Sequence, residues 1–135
     1  MSRIRGSDTK LELLVRRALH SRGFRYRLGG AGLPGRPDLV LPRYRTAIFV
    51  HGCFWHGHDC SLFRLPKTRP EFWQAKIESN QTRDERVLAQ LAKMGWHTLV
   101  IWECSLRAVA ETDRAIFFDE ISQAIRSNEP QREAP

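Results

Sequence analysis

The chain has 135 residues, a net charge of +7, 41% hydrophobic and 27% charged residues, which suits one domain able to bury a core without disulfides. No apolar run approaches the roughly 20 residues of a membrane span, and Met1-Ser2-Arg3-Ile4-Arg5 lacks the apolar stretch of a secretory signal, so a cytoplasmic protein without membrane contact is expected. Residues 1–70 carry 14 Lys/Arg against 4 Asp/Glu, whereas residues 71–135 carry 8 against 11. Arginine dominates the basic half, and guanidinium forks suit phosphate oxygens, which points to a polyanion as partner. The plainer alternative is a solvated basic face that serves solubility.

Thr9 followed by Glu12 has capping-box spacing, and Leu11, Leu14, Val15, Ala18 and Leu19 share one face, which predicts a first helix from about Lys10 to Ser21 that Gly23 ends. Phe24-Arg25-Tyr26-Arg27-Leu28 alternates apolar and basic residues and reads as a strand with one buried face. Residues 29–37 are rich in glycine and proline and form a loop. Asp38–Leu41 and Ala47–His51, split by Pro42-Arg43-Tyr44-Arg45, read as a hairpin. A long amphipathic helix is predicted from Pro70 to Met94, with Gly95 as its stop. Trp96–Trp102 is the most hydrophobic strand, and the helix between it and the hairpin permits a parallel crossover. A last helix runs from about Asp113 to Arg126, before a polar tail, residues 127–135, that is expected to fray. Residues 1–126 thus form one α/β domain of order α-β-β-β-α-β-α, a mixed sheet flanked by helices. That order matches the restriction-endonuclease-like core at the level of fold.

Chemistry concentrates in Val50-His51-Gly52-Cys53-Phe54-Trp55-His56-Gly57-His58-Asp59-Cys60. Cysteine and histidine in a C-x4-H-x-C arrangement offer ligands to zinc, and Cys104, the one remaining cysteine, completes three thiolates and one imidazole for a tetrahedral site. Both His56 and His58 lie within reach, so spacing leaves open which one binds. The alternative is buried thiols beside a surface histidine. Asp38, after Pro37 at a strand start, is a candidate ligand for a hard divalent cation, with a backbone carbonyl near Val50 as a second oxygen. His51 and His56 stand where nucleases of this core usually place an acid-x-lysine triplet, and imidazole can act as general base or acid near neutral pH. A turn or capping role is the plainer reading of Asp38, and a hydrogen-bonded structural role that of His51. Phe54 and Trp55 are either core aromatics or wedges that unstack bases, and Trp73 has the same two readings.

Several short motifs in one order then resemble the bacterial very short patch mismatch repair endonucleases. They are Leu33-Pro34-Gly35-Arg36-Pro37-Asp38, His51-Gly52-Cys53-Phe54-Trp55-His56 with His58 and Cys60, Thr68-Arg69, Glu71-Phe72-Trp73, Lys76-Ile77, Asn80, Arg83-Asp84, Gly95-Trp96 and Trp102-Glu103-Cys104. The resemblance covers about residues 3 to 107. It implies a magnesium-dependent endonuclease that nicks one strand of double-stranded DNA next to a T:G mismatch. By that resemblance Asp38 binds Mg2+ together with the Val50 carbonyl, His56 is the catalytic histidine, and His51, Glu12 and Asp84 support it. Cys53, His58, Cys60 and Cys104 match structural Zn2+ ligands. Phe54, Trp55 and Trp73 match the DNA-wedging aromatics, and Arg36 and Asn80 are expected at the DNA. Val50 stands where some members carry threonine, a change that spares a backbone-carbonyl role. The resemblance also implies a nucleoid-associated monomer working beside other mismatch-repair proteins and a cognate cytosine methyltransferase. A sequence-specific homing, restriction or host-defence nuclease of the same fold, and a zinc-stabilised DNA-binding module without catalysis, are the rival readings.

Overall fold

The computed structural model describes residues 10–60, 64–109 and 111–128. Helix α1 spans Lys10–Ser21, strands β1 and β2 span Leu39–Leu41 and Thr46–His51, helix α2 spans Pro70–Lys93, strand β3 spans His97–Trp102, and helices α3 and α4 span Glu103–Ala108 and Arg114–Arg126. The sheet order is β1-β2-β3. β1 pairs antiparallel with β2, Leu39 opposite Ile48, and β2 pairs parallel with β3 along its whole length, Thr46 opposite His97 and His51 opposite Trp102. Among the described residues no helix is long and apolar enough to cross a membrane.

Alternation along the strands divides the core into two layers, because successive side chains of a strand point to opposite faces. Leu39, Leu41, Ile48 and Ile101 pack with Val15 and Leu19 of α1 and Phe118 and Ile125 of α4. Ala47 and Phe49 pack on the other face against Leu91 of α2, with Val87, Leu88 and Val100 around them. The hairpin is therefore buried on both sides, which is why it reads as two nearly unbroken apolar runs.

Glycine sets the helix ends. Phe24 N–H donates to Leu19 O and Gly23 N–H to His20 O, with Gly23 at φ 86°, the two bonds of a Schellman stop. Gly95, at φ 84°, ends α2 in the same way through Trp96 N–H to Leu91 O at 2.9 Å. Arg45 then caps that terminus, donating to Met94 O at 2.9 Å and Gly95 O at 3.2 Å, while its guanidinium lies 5.0 Å from the Trp96 ring centre. One residue between the hairpin strands thus ties α2 and β3 to the sheet.

Two expectations need correction. The strand over Phe24–Leu28 is a single bridge, Arg27 to Val40, closed by Arg27 N–H to Val40 O at 2.8 Å and Val40 N–H to Arg27 O at 2.9 Å. Its partner β1 has only three residues, and Gly29 and Gly30, both at positive φ, turn the chain away at once. The sheet has three strands rather than four. Second, α3 follows β3 without a loop, so the element order gains a helix that the sequence reading omitted. Thr9 of the expected capping box lies outside the described residues, as do residues 129–135 of the expected tail. Asn128 donates its side-chain amide to Thr46 Oγ1 at 3.2 Å, so the first part of that tail is anchored to β2.

A candidate active site beside a candidate metal centre

A cleft of about 420 Å³ opens where the end of β2 meets the middle of α2. Asp38, Val50, His51, His56 and Asp84 line it, with Arg36 and Arg83 at its edge and Phe49, Val87 and Leu88 as its floor. The loop before β1 is pressed onto α2: a Cβ at Gly35 would lie 2.4 Å from Val87 Cγ1. Only glycine fits there, and that contact brings Asp38 to the cleft.

Asp38 is fixed by its own hairpin. Its N–H donates to Ile48 O at 2.9 Å, and its Oδ2 accepts from Val50 N–H at 2.7 Å. A strand residue sends its N–H and C=O to the same edge, so the Val50 carbonyl points to the side on which Asp38 sits. Burial pushes the Asp38 carboxyl up to about 6; the Val50 bond opposes this, and the neighbouring Glu12 carboxyl adds to it. Glu12 is itself 3% exposed and pairs with Arg16 one helical turn on. A half-buried carboxyl beside a buried one, with a carbonyl on the same side, forms a hard-oxygen donor set that suits a divalent cation.

The histidines are held differently. His51 is buried and stacks on His56, ring centres 3.8 Å apart and planes within 4°, with the edge of Trp102 at 5.1 Å. Its Nδ1 has no hydrogen-bond partner among the described residues. Burial, and then the His56 ring, lower the His51 pKa to about 4, so it stays neutral at physiological pH. His56 Nδ1 lies 2.5 Å from Asp84 Oδ2. With Nδ1–H donated to the carboxylate, the lone pair of the ring is on Nε2, which is the tautomer a general base needs. Although His51, His56 and Asp84 are mutually close, two parallel stacked rings direct their in-plane lone pairs side by side. They cannot converge on one metal ion.

His58 turns the other way. The ligand atoms of Cys53, His58, Cys60 and Cys104 lie within 4.8 Å of one another. His58 Nδ1 is 3.6 Å from Cys53 Sγ and 3.4 Å from Cys104 Sγ. Tetrahedral zinc, with Zn–S about 2.3 Å and Zn–N about 2.0 Å, requires S···N of about 3.5 Å. The donor set and its spacing therefore fit zinc. Burial first, and then the neighbouring Cys60 and Cys104 thiols, push the Cys53 thiol up to about 12 against the Cys104 N–H bond, so thiolate there calls for a cation. The supporting contacts are specific: Cys53 N–H donates to Glu103 Oε1 at 3.2 Å, Cys104 N–H points at Cys53 Sγ, and the His58 ring stacks on Trp102 at 4.0 Å. Trp102 thus stands between the two groups of histidines.

Phe54, Trp55 and Trp73 meet edge to face at 5.1 to 5.8 Å. Trp55 is 47% exposed and Phe72, beside Trp73, is 45% exposed. A cluster this open is no core.

Three relatives match most of the chain. The family model of the DNA mismatch endonuclease Vsr matches residues 1–62. A type II nicking enzyme of Xanthomonas oryzae pv. oryzae is 50% identical over 106 residues, 78% of each chain. The DNA mismatch endonuclease Vsr of Escherichia coli K12 is 46% identical over 117 residues, 86% of this chain and 75% of that protein. The chain belongs to the Vsr family of DNA mismatch endonucleases. A type II nicking enzyme of Neisseria meningitidis serogroup A extends the match to 93% of the chain at 40% identity.

In this Vsr-family chain the candidate residues fall into three neighbouring groups. Asp38, Val50, His51, His56 and Asp84 line the cleft with Glu12 beside Asp38, Cys53, His58, Cys60 and Cys104 gather beyond Trp102, and the aromatics gather at the start of α2. Arg36 is exposed at the cleft edge, in the left-handed region at φ 51°. Asn80 is turned onto the loop, donating to Trp55 O at 2.8 Å. Sequence reasoning missed Gln81, Phe72 and the ring contacts of Trp102. The spacing of residues 77, 80, 81 and 84 places Gln81 on the same helix face as Asp84, but its backbone-carbonyl partners carry no sequence signal.

Proposed function

We propose that this mismatch endonuclease nicks one strand of duplex DNA beside a T:G pair, and that the cleft between β2 and α2 is where the phosphodiester is hydrolysed. The observation that carries this reading is that Asp38, with Glu12 beside it, shares one cleft with the His56–Asp84 dyad. Asp38 and the Val50 carbonyl would hold Mg2+, with Glu12 supporting Asp38. Bound there, the cation supplies charge neutralisation at the scissile phosphate. His56 takes the proton of the attacking water at Nε2, and Asp84 orients its ring and stabilises the imidazolium that results. His51, neutral and stacked on His56, fixes the plane of that ring. Arg36 and Arg83 face the phosphates on either side.

Cys53, His58, Cys60 and Cys104 would hold Zn2+ as a closed structural centre that braces the loop carrying His56. On this reading the mixed sheet and its helices form a restriction-endonuclease-like core within a single domain over residues 1–126. Phe54, Trp55 and Trp73 unstack the base step next to the mismatch; a mispaired step costs less to open than a matched one, a physical source of selectivity. Asn80 would act at the DNA by holding the Trp55 carbonyl of the wedge loop. One asymmetric mismatch does not call for two-fold symmetry, so a monomer acts. Other mismatch-repair proteins and a cytosine methyltransferase are its functional partners, at the nucleoid. Several relatives carry the name of nicking enzymes, which favours cleavage of one strand.

The test is magnesium-dependent cleavage of duplexes that differ only in one T:G or T:A pair, each strand end-labelled in turn across several flanking sequences. Nicking confined to the thymine strand of the T:G duplex is the expected result. Cleavage of both duplexes alike points to a nuclease of another specificity, and metal-independent binding without cleavage to a DNA-binding module.

A further inference from the structure

One stripe of α2 faces the histidine loop rather than the sheet. Positions 77, 80, 81 and 84 recur at i, i+3, i+4 and i+7 and lie on one side of the helix. Asp84 engages the His56 ring, Asn80 donates to Trp55 O, and Gln81 Nε2 donates to both His56 O at 3.2 Å and Gly57 O at 3.3 Å. Three consecutive carbonyls of the loop are thereby held from the same helix. Gly57 has φ 60°, and a Cβ there would lie 2.5 Å from Gln81 Nε2 and 2.6 Å from Ile77 Cγ2. The missing side chain at 57 is what lets the Gln81 amide reach both oxygens.

A glutamine Nε2 carries two hydrogens, and here both can go to successive carbonyls. The peptide units on either side of Gly57 are therefore held from α2, one through the His56 oxygen and the next through the Gly57 oxygen. The orientation of the first helps set where the His56 Cα–Cβ bond points, and the His56 ring is in turn tied to Asp84 less than one turn further along the same helix. We propose that Gln81 is a positioning residue for cleavage: by bonding the His56 and Gly57 carbonyls it fixes the backbone from which the His56 imidazole meets Asp84 and the cleft. This rests on the reading of His56 as the general base.

The loop has other anchors that do not involve Gln81. His58 N–H donates to Cys53 O at 2.9 Å and His56 N–H to Gly52 O at 3.3 Å, and Glu103 holds the Cys53 amide. Gly57 N–H also donates to Phe54 O at 3.2 Å. Loss of the Gln81 donors therefore leaves the fold and the cysteine cluster in place and frees the His56 and Gly57 carbonyls. A misplacement of a catalytic group by about 1 Å can cost about a hundredfold in rate.

The experiment is single-turnover nicking of a T:G duplex by the full chain, with duplex Kd and bound zinc measured on the same preparations, for wild type, Gln81→Met, Gln81→Lys and His56→Ala. Gln81→Met keeps the length and removes the donor. It should lower the rate constant about tenfold or more while Kd stays within about twofold and zinc content is unchanged. Gln81→Lys restores donors at similar reach and should recover most of the loss. An unaltered rate in Gln81→Met overturns the proposal, as does a fall matched by equal losses of zinc or duplex binding, or an equal fall in Gln81→Lys. Wild-type cleavage by His56→Ala would remove the reading of His56 itself, a separate failure visible in the same set.

Discussion

His56 and His58 stand two residues apart, yet they belong to regions built on opposite principles. His56 faces an open cleft of oxygen and nitrogen groups, one of which, Asp38, is held at a pKa of about 6, and it stacks on His51, whose Nδ1 is unsatisfied among the described residues. His58 faces three thiols at distances that a single zinc ion satisfies, backed by Trp102 and a Glu103 hydrogen bond. The comparison teaches that one loop can divide its labour between neighbours. On the proposed reading the cysteine centre would supply rigidity, and the cleft would accept a stability cost for chemistry.

The largest effect that can break this comparison is on cleavage. Asp38→Ala and His56→Ala should each lower the single-turnover rate by about a thousandfold, within the range for loss of a metal-holding or general-base group, while zinc content and fold stay intact. Wild-type nicking by a clean preparation of either would remove that residue from the mechanism. Next in size is the cysteine centre. Cys104→Ser should lower zinc occupancy and stability together, by about 3 kcal/mol or roughly 10 °C in Tm; full zinc with an unchanged melting curve would place the fourth ligand elsewhere.

A smaller effect sharpens the contrast through pH. The folded state binds a proton at Asp38 more tightly than the unfolded chain does, since the pKa rises from 3.8 to about 6. Wild-type stability from this group therefore falls as pH rises from about 4 to 6, and the full cost is present above 6. Asp38→Asn should be more stable than wild type at pH 7 by about 1–2 kcal/mol, after allowance for solvent screening, with the advantage vanishing below pH 4. His51 has the opposite sign: its pKa falls from 6.5 to about 4, so its contribution is present above 6.5 and is lost as pH falls toward 4. Chemical denaturation of both proteins between pH 4 and 8 checks this, and equal stability at pH 7 would contradict the stated cost of the buried carboxyl. In the same window, magnesium and the proton compete for Asp38, so apparent magnesium affinity should weaken by up to tenfold per pH unit below about 6. Titration at pH 5 and 7 measures it, and equal affinities would exclude Asp38 as ligand.

Much of this was legible in the chain. Pro70 and Gly95 bracket α2 because proline suits a first helical position and glycine the left-handed stop, and the two apolar runs around Pro42–Arg45 mark a hairpin buried on both faces. The Phe24–Leu28 pattern misled, because alternation reports which side chains are buried and says nothing of whether a partner strand is long enough to pair. α3 escaped notice since its six residues follow β3 without any turn residue between them. At the site, residue types and spacing showed that thiols and imidazoles cluster. Which histidine joins the thiols depends on the turn at Gly57, a backbone angle that spacing does not encode. Gln81 was invisible for a related reason: its partners are backbone carbonyls, which leave no mark in the sequence.

The division between the two histidines is tested most directly by His56→Ala and His58→Ala prepared side by side, with bound zinc and nicking of a T:G duplex measured on each. His56→Ala should keep its zinc and lose cleavage, whereas His58→Ala should lose zinc and melt at a lower temperature. Zinc loss in His56→Ala with full occupancy in His58→Ala, or identical behaviour of the two, would contradict the account.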